Sequence, residues 1–307
     1  MNVRGLLHLG VVYIVWGSTY LAIRVAVREG AGFPPFIMAA ARVFVACVIL
    51  FAWARIARSK TRITKREAGV LFIVAVLLWV GGNGLVAFAE KRAESGYAAL
   101  LIGALPIWVA IMEATIDRKR PTPRFIGALL IGLSGVAVLN GPVLMEGTME
   151  DIIAMIALLA APIFWGMGSI LQRRRPAKIG PEATSAWQQL FGGVALLLVA
   201  VLVGEPMPTP IPEAWVAWSY LVIFGSVFAF TSFIKALTLL PTPVVMTYAY
   251  VNPVVAVFLG WLILREPFTM WTAVGSVLVL LGVAGVFNEK RRESRASEKA
   301  KRFFSAK

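Results

Sequence analysis

SGVAVLN, residues 134–140, returns at 281–288 as LGVAGVFN with one residue inserted. The match extends backwards through the chain. RKRPT (118–122) has its counterpart in LREPFT (264–269), and Pro106 in ALPIWVAI has its counterpart in Pro253 of VNPVVAVF. A Trp-Gly pair stands near the front of each copy, Trp16-Gly17 and Trp165-Gly166. The chain therefore reads as one unit written twice, residues 1–142 and 151–288, followed by a basic tail at 289–307.

Composition says where such a unit lives. Of 307 residues 59% are hydrophobic and 15% charged, where soluble domains carry about 25% charge. Apolar runs near 20 residues recur throughout, the length that crosses a bilayer core. Hydropathy gives ten spans, at 6–27, 34–57, 68–89, 96–117, 124–142, 152–172, 183–203, 214–235, 243–264 and 271–288. The first run is longer than a signal-peptide core and reads as a retained helix. Its companions are joined by short connections with no room for another domain. The single cysteine, Cys47, lies inside an apolar run and reads as a packing residue.

The net charge of +14 is concentrated on alternate connections. Arg55, Arg58, Lys60, Arg62, Lys65 and Arg66 follow the second span. Arg118, Lys119, Arg120 and Arg124 follow the fourth, and Arg173, Arg174, Arg175 and Lys178 the sixth. A further basic run, beginning at Lys290, follows the tenth and is expected to be mobile. The intervening loops are poor in Lys and Arg, and several are acidic. This is the positive-inside pattern and places both termini in the cytoplasm of a multi-pass inner-membrane protein. It argues for contact of the tail with anionic lipid and against nucleic acid as a partner.

Five spans per copy is an odd number, so the second copy enters the membrane upside down relative to the first. The expected fold is all-α and integral to the membrane: ten transmembrane helices in two inverted five-helix repeats. Secondary transporters are built this way, with solute held near the midplane between the repeats.

Several motifs carry a family resemblance: WGSTYLAIR (16–24), FPPFIMAAARVFVA (33–46), the paired LPIW and NPVVA prolines, and the REP turn before a Gly-rich last span. Over residues 6–288 the chain resembles the EamA family of the drug/metabolite transporter superfamily, and within it the amino-acid exporters of the YddG type. The resemblance implies ten helices around a central cavity. It specifies architecture well and substrate poorly.

Candidate site residues are those that sit oddly in oil. Trp16 lies about ten residues into its helix, roughly 15 Å deep at 1.5 Å per residue. Tryptophan at that depth needs a partner for its indole N–H. Gly17, Ser18 and Thr19 suit either a close helix crossing or a cavity wall shared by Trp16 and Tyr20. Repetition at Trp165 favours the cavity, since two-fold-related tryptophans would face each other. Pro106 and Pro253 fall near the centres of spans four and nine, where proline breaks hydrogen bonds. They read as hinges beside a cavity or as packing kinks. Asn252, with Tyr248 and Tyr250 within a turn of it, adds polar groups at the same depth. Asn83 in GGNG (81–84) either faces the cavity or accompanies glycines that serve packing.

Arg42 is the deepest cation. It either pairs with Glu29, Glu90 or helix carbonyls, or attracts a substrate carboxylate. Glu113 either snorkels toward Arg118 or Arg124 or carries protons. His8, the sole histidine, is an interfacial packing residue or a proton relay. Arg24 and Lys235 are expected to snorkel at span ends, and Gly127, Gly132, Gly135, Gly275, Gly282 and Gly285 to pack spans five and ten.

No metal-ligand cluster, Ser-His-Asp set or Cys-His pair is visible, so no enzyme, cofactor or metal is expected. A channel would call for charged rings or a filter sequence. The expected function is alternating-access transport of small metabolites, with amino acids outward as the first reading. Drugs, nucleosides or other metabolites are the second, and a scaffold role a distant one. The oligomeric state is left open.

Overall fold

A computed structural model describes residues 2–118, 122–240, 245 and 248–305. The side chain of Tyr250 lies outside the described set. Among the described residues the chain is helical, with no strand. We label the helices α1 (Val3–Val27), α2 (Pro35–Ile56), α3 (Lys65–Ala89), α4 (Ser95–Ile116), α5 (Pro123–Leu139), α6 (Met149–Arg174), α7 (Pro181–Leu202), α8 (Pro212–Leu239), α9 (248–264) and α10 (Met270–Ser305). Seven of these, α1–α4 and α6–α8, are long and apolar enough to cross a membrane. The other apolar segments, Pro123–Leu139, Val251–Leu264 and Met270–Gly282, are shorter. The protein is thus an all-helical integral membrane protein.

Local chemistry sets the helix ends. Asn2 caps α1, its side chain accepting from the amide of Arg4 at 3.1 Å. Capping boxes open α3 (Thr64 with Glu67) and α6 (Thr148 with Asp151). Proline occupies the first turn of α2, α5, α7 and α8, where its missing N–H costs nothing. Arg118 and Arg265, which follow α4 and α9, have left-handed backbone with φ 52° and 55°.

Two boundaries depart from expectation. The basic tail is not separate from the last span: helical backbone runs on to Ser305, because Glu, Lys, Arg and Ala favour helix and no Gly or Pro follows Gly285. Span four is not a bent single helix. Its first part ends at Ile102, and a new helix begins at Leu105, with Pro106 in its first turn.

Helices in a bilayer gain little from burying apolar surface against one another, so close packing of small residues holds them. At α5–α10 a Cβ on Gly282 would lie 2.3 Å from the Cα of Gly132, and one on Gly135 2.5 Å from the amide nitrogen of Val279. Gly127 is the exception among the glycines expected there, with open space beside it. Other neighbours are α1 with α8 and α9, α6 with α3 and α4, and α2 with α7. Both α3 and α8 are widened into π-helix, over Val76–Gly84 and Leu221–Ala229. Such widening frees backbone groups and is frequent at functional sites.

Candidate functional site

The Trp-Gly motifs divide their work. Gly17 packs: a Cβ there would meet Val255 of α9 at 2.6 Å. Gly166 packs likewise against Met112 of α4, at 2.5 Å. The adjacent tryptophans turn the other way and meet. Trp16 and Trp165 lie edge to face with ring centroids 5.5 Å apart. Tyr248 stands 5.2 Å from Trp16, also edge to face, and its hydroxyl accepts from Trp165 Nε1 at 3.1 Å. Trp16 Nε1 reaches the carbonyl of Gly225 at 3.4 Å, inside the π segment of α8.

Around these rings is one internal space to which α1 supplies Trp16, Thr19, Tyr20 and Ile23, and α3 supplies Gly82, Asn83 and Val86. Ile102 of α4, Ala161 and Trp165 of α6, and Tyr248 and Asn252 of α9 complete it. All six residues expected at a cavity, Trp16, Tyr20, Asn83, Trp165, Tyr248 and Asn252, line it together. Its volume is about 70 Å³, against about 300–1,000 Å³ for small-molecule pockets. A space of that size is too small to hold a metabolite as it stands.

Among the described residues, no charged side chain lines the cavity. The side-chain amide of Asn252, oriented to donate, reaches the carbonyls of Tyr13 (3.3 Å) and Tyr248 (3.2 Å). Arg42 stands just behind the wall. Its Nη2 donates to Asn83 Oδ1 at 2.7 Å and its guanidinium lies 5.4 Å from the centre of the Trp79 ring. The hydrogen bond to Asn83 and the contact with Trp79 thus give Arg42 an amide and an aromatic face, both supplied by α3. The glycines beside Asn83 pack, Gly81 on Phe164 and Gly82 on Trp165, so GGNG serves both purposes considered for it. Pro253 touches α4 at its break, where a Cβ on Gly103 would lie 2.9 Å from the proline ring.

Both ends of the bundle are tied. At one end Arg92 donates to Glu29 (3.0 Å), Asp151 (3.1 Å) and Glu150, joining three separate segments. The hydrogen bond to Asp151 first, and then the charges of Glu150, Glu29 and Asp151, hold the Arg92 guanidinium above its usual range. Nearby, Glu205 accepts from the amides of Phe36 and Ile37, and Glu266 from those of Ser95 and Gly96. Arg24 donates to the carbonyls of Glu90 and Lys91, both at 2.8 Å. At the other end Lys235 pairs with Glu182 at 2.8 Å, and His8 Nδ1 lies 3.2 Å from Ser232 Oγ. Glu113 accepts from Arg173 of α6 at 3.5 Å.

Thr19, offered for either a helix crossing or a cavity wall, lines the space, and Phe233 joins the aromatic cluster without having been singled out. Phe233 packs on Trp16 at 4.9 Å; it follows the polar pair Thr231 and Ser232, the signal by which it could have been found.

Comparison with known proteins adds a family. The model of the EamA-like transporter family matches residues 3–141 and 152–288. The uncharacterized inner membrane transporter YedA of Escherichia coli strain K12 is 32% identical over 279 residues, 88% of each chain. The uncharacterized transporter YoaV of Bacillus subtilis is 25% identical, covering 92% of this chain and 96% of its own. A Chlamydia trachomatis protein named as an S-adenosylmethionine/S-adenosylhomocysteine transporter is 24% identical, covering 91% and 88%. One solved crystal structure shares the fold with a TM-score of 0.66 at 22% identity, over 95% of this chain and 99% of that one.

Proposed function

The chain belongs to the EamA-like transporter family, and from that premise we propose that it is an inner-membrane secondary transporter moving amino acids outward by alternating access. The observation that carries the reading is the cavity itself. Trp16, Tyr20 and Asn83 from the first half meet Trp165, Tyr248 and Asn252 from the second around one contracted space. Aromatic faces would cover the apolar part of a solute, and hydroxyl and amide groups would meet its polar part.

The layout proposed is ten spans in two inverted repeats, 1–142 and 151–288, with both termini and the 289–307 extension in the cytoplasm. Support comes from the paired family matches, the left-handed Arg118 and Arg265, and the π segments of α3 and α8. Neighbour relations also exchange: α1 packs on α9 as α6 packs on α4. In this reading the break before Pro106 and the Pro253 contact with Gly103 are hinges that open the two ends in turn.

A second reading rests on the rings. Four aromatic side chains around a space with no acid suit a cationic or planar solute, and one relative is named for sulfonium and nucleoside thioether transport. Counterflow into proteoliposomes tests both, using labelled amino acids beside labelled S-adenosylmethionine. Amino-acid exchange blocked by none of the other solutes supports the first reading. Exchange of S-adenosylmethionine alone replaces it with the second.

A further inference from the structure

Most acids at the Arg92 end of the bundle have an assigned partner. Glu29, Glu150 and Asp151 surround Arg92, and Glu205 and Glu266 cap helices. Glu90 differs. It closes α3 one turn beyond Val86, whose carbonyl accepts from its amide at 2.9 Å. Its side chain is wholly buried, and neither carboxyl oxygen has a hydrogen-bond partner among the described residues. An ionised carboxylate kept that way is strongly disfavoured. Burial pushes the Glu90 carboxyl well above the usual carboxylate range, and the neighbouring Glu266 adds to the effect.

The other groups facing Glu90 are Tyr20 and Arg24 from α1 and Arg42 from α2. Arg24 is occupied by the carbonyls of Glu90 and Lys91. Arg42 is only partly used. It holds Asn83, while its buried Nε has no partner among the described residues. An unused donor and two unused acceptors thus lie within electrostatic reach of each other without bonding. Glu90 also shares a helical stripe with the cavity residues Val86 and Asn83, four and seven positions before it along α3.

We propose that Glu90 is a proton-binding site that couples the transport cycle to proton movement through Arg42 and Asn83. A proton from water occupies the carboxyl in the contracted state. When Glu90 returns that proton to water, the carboxylate draws Arg42 away from Asn83, and the Asn83 oxygen becomes available to the solute. Solute and proton then exclude each other, which is the requirement for exchange of one against the other. The inference rests on the transporter reading for its consequence but not for its chemistry.

Two measurements separate those levels. Infrared difference spectra of the protein in nanodiscs, recorded while pH is stepped, should show a protonated-carboxyl band at neutral pH. Glu90→Gln should abolish the band, Glu90→Asp should shift it, and the exposed Glu213→Gln should leave it alone. An identical band in wild type and Glu90→Gln overturns the proposal, whatever the protein transports. In proteoliposomes loaded with labelled phenylalanine, Glu90→Gln, which copies the neutral form and so leaves Arg42 on Asn83, should lower counterflow at every pH and lose stimulation by a pH gradient. Retained stimulation overturns the coupling. If wild type exchanges neither phenylalanine nor any other amino acid, the substrate class fails while the infrared result still decides the proton site.

Discussion

Trp16 and Trp165, 149 positions apart in sequence, meet edge to face with their ring planes at 84°. Each begins a Trp-Gly pair, and in each pair the glycine packs on a neighbouring helix while the tryptophan turns to the centre. The arrangement makes the aromatic cluster a joint between the two halves of the chain.

Removing a ring from that joint should weaken transport more than folding. Trp16 contacts Trp165, Tyr248 and Phe233, and each such pair contributes about 0.5–1.5 kcal/mol beyond area burial. Trp16→Ala, Trp165→Ala and Tyr248→Ala should each lower exchange rates for amount-matched, membrane-inserted protein. Wild-type rates for every transported solute in all three would remove these residues from the site.

Glycines facing backbone should behave unlike glycines facing space. Gly282→Ala places a Cβ 2.3 Å from the Cα of Gly132 and should lower the melting temperature in detergent. Gly10→Ala meets nothing within 4 Å and should hold or gain stability, by up to ~1 kcal/mol from helix propensity. Equal melting temperatures for the two variants would contradict the packing described.

Glu266 tests a helix cap formed from a distant loop. Its carboxylate takes the amides of Ser95 and Gly96 and the Ser95 hydroxyl, and Ser95 is fully buried. Glu266→Ala strands those donors at a cost of about 1–3 kcal/mol. Glu266→Gln keeps an acceptor and should recover part of the loss, as read by thermal unfolding.

Arg92 gathers three acids from two other segments. Arg92→Gln leaves them facing each other and should favour opening at that end. A cysteine replacing Ala161 at the cavity wall, in a Cys47→Ser background, should then react faster with a small thiol reagent. The difference should shrink at high salt, since exposed charges are screened. A slower reaction in Arg92→Gln would assign the cluster some other role.

Orientation is open to the same chemistry. With both termini inside, single cysteines replacing Ser59 and Thr122 should resist an impermeant thiol reagent in intact cells and react in inverted vesicles. Labelling of either from outside would reverse the topology.

The repeated SGVAVLN, the long apolar runs and the buried tryptophans were legible in the sequence because a bilayer is a severe solvent. It demands long uninterrupted apolar segments and makes every amphipathic residue within them conspicuous. That is why Trp16, Tyr20, Asn83, Trp165, Tyr248 and Asn252 could be named before any contact was known. Partners were another matter. Arg42 rests on Asn83 and the ring of Trp79, Glu113 meets Arg173, and Pro253 fills the space beside Gly103. Phe233, one residue after Ser232, enters the aromatic cluster from α8. Hydropathy fixes how long a helix is, but not how it is rotated or how closely it crosses its neighbours. Those two quantities depend on side chains far apart in the chain, so only the tertiary structure decided which buried groups meet and left the Glu90 carboxyl without a hydrogen-bond partner among the described residues.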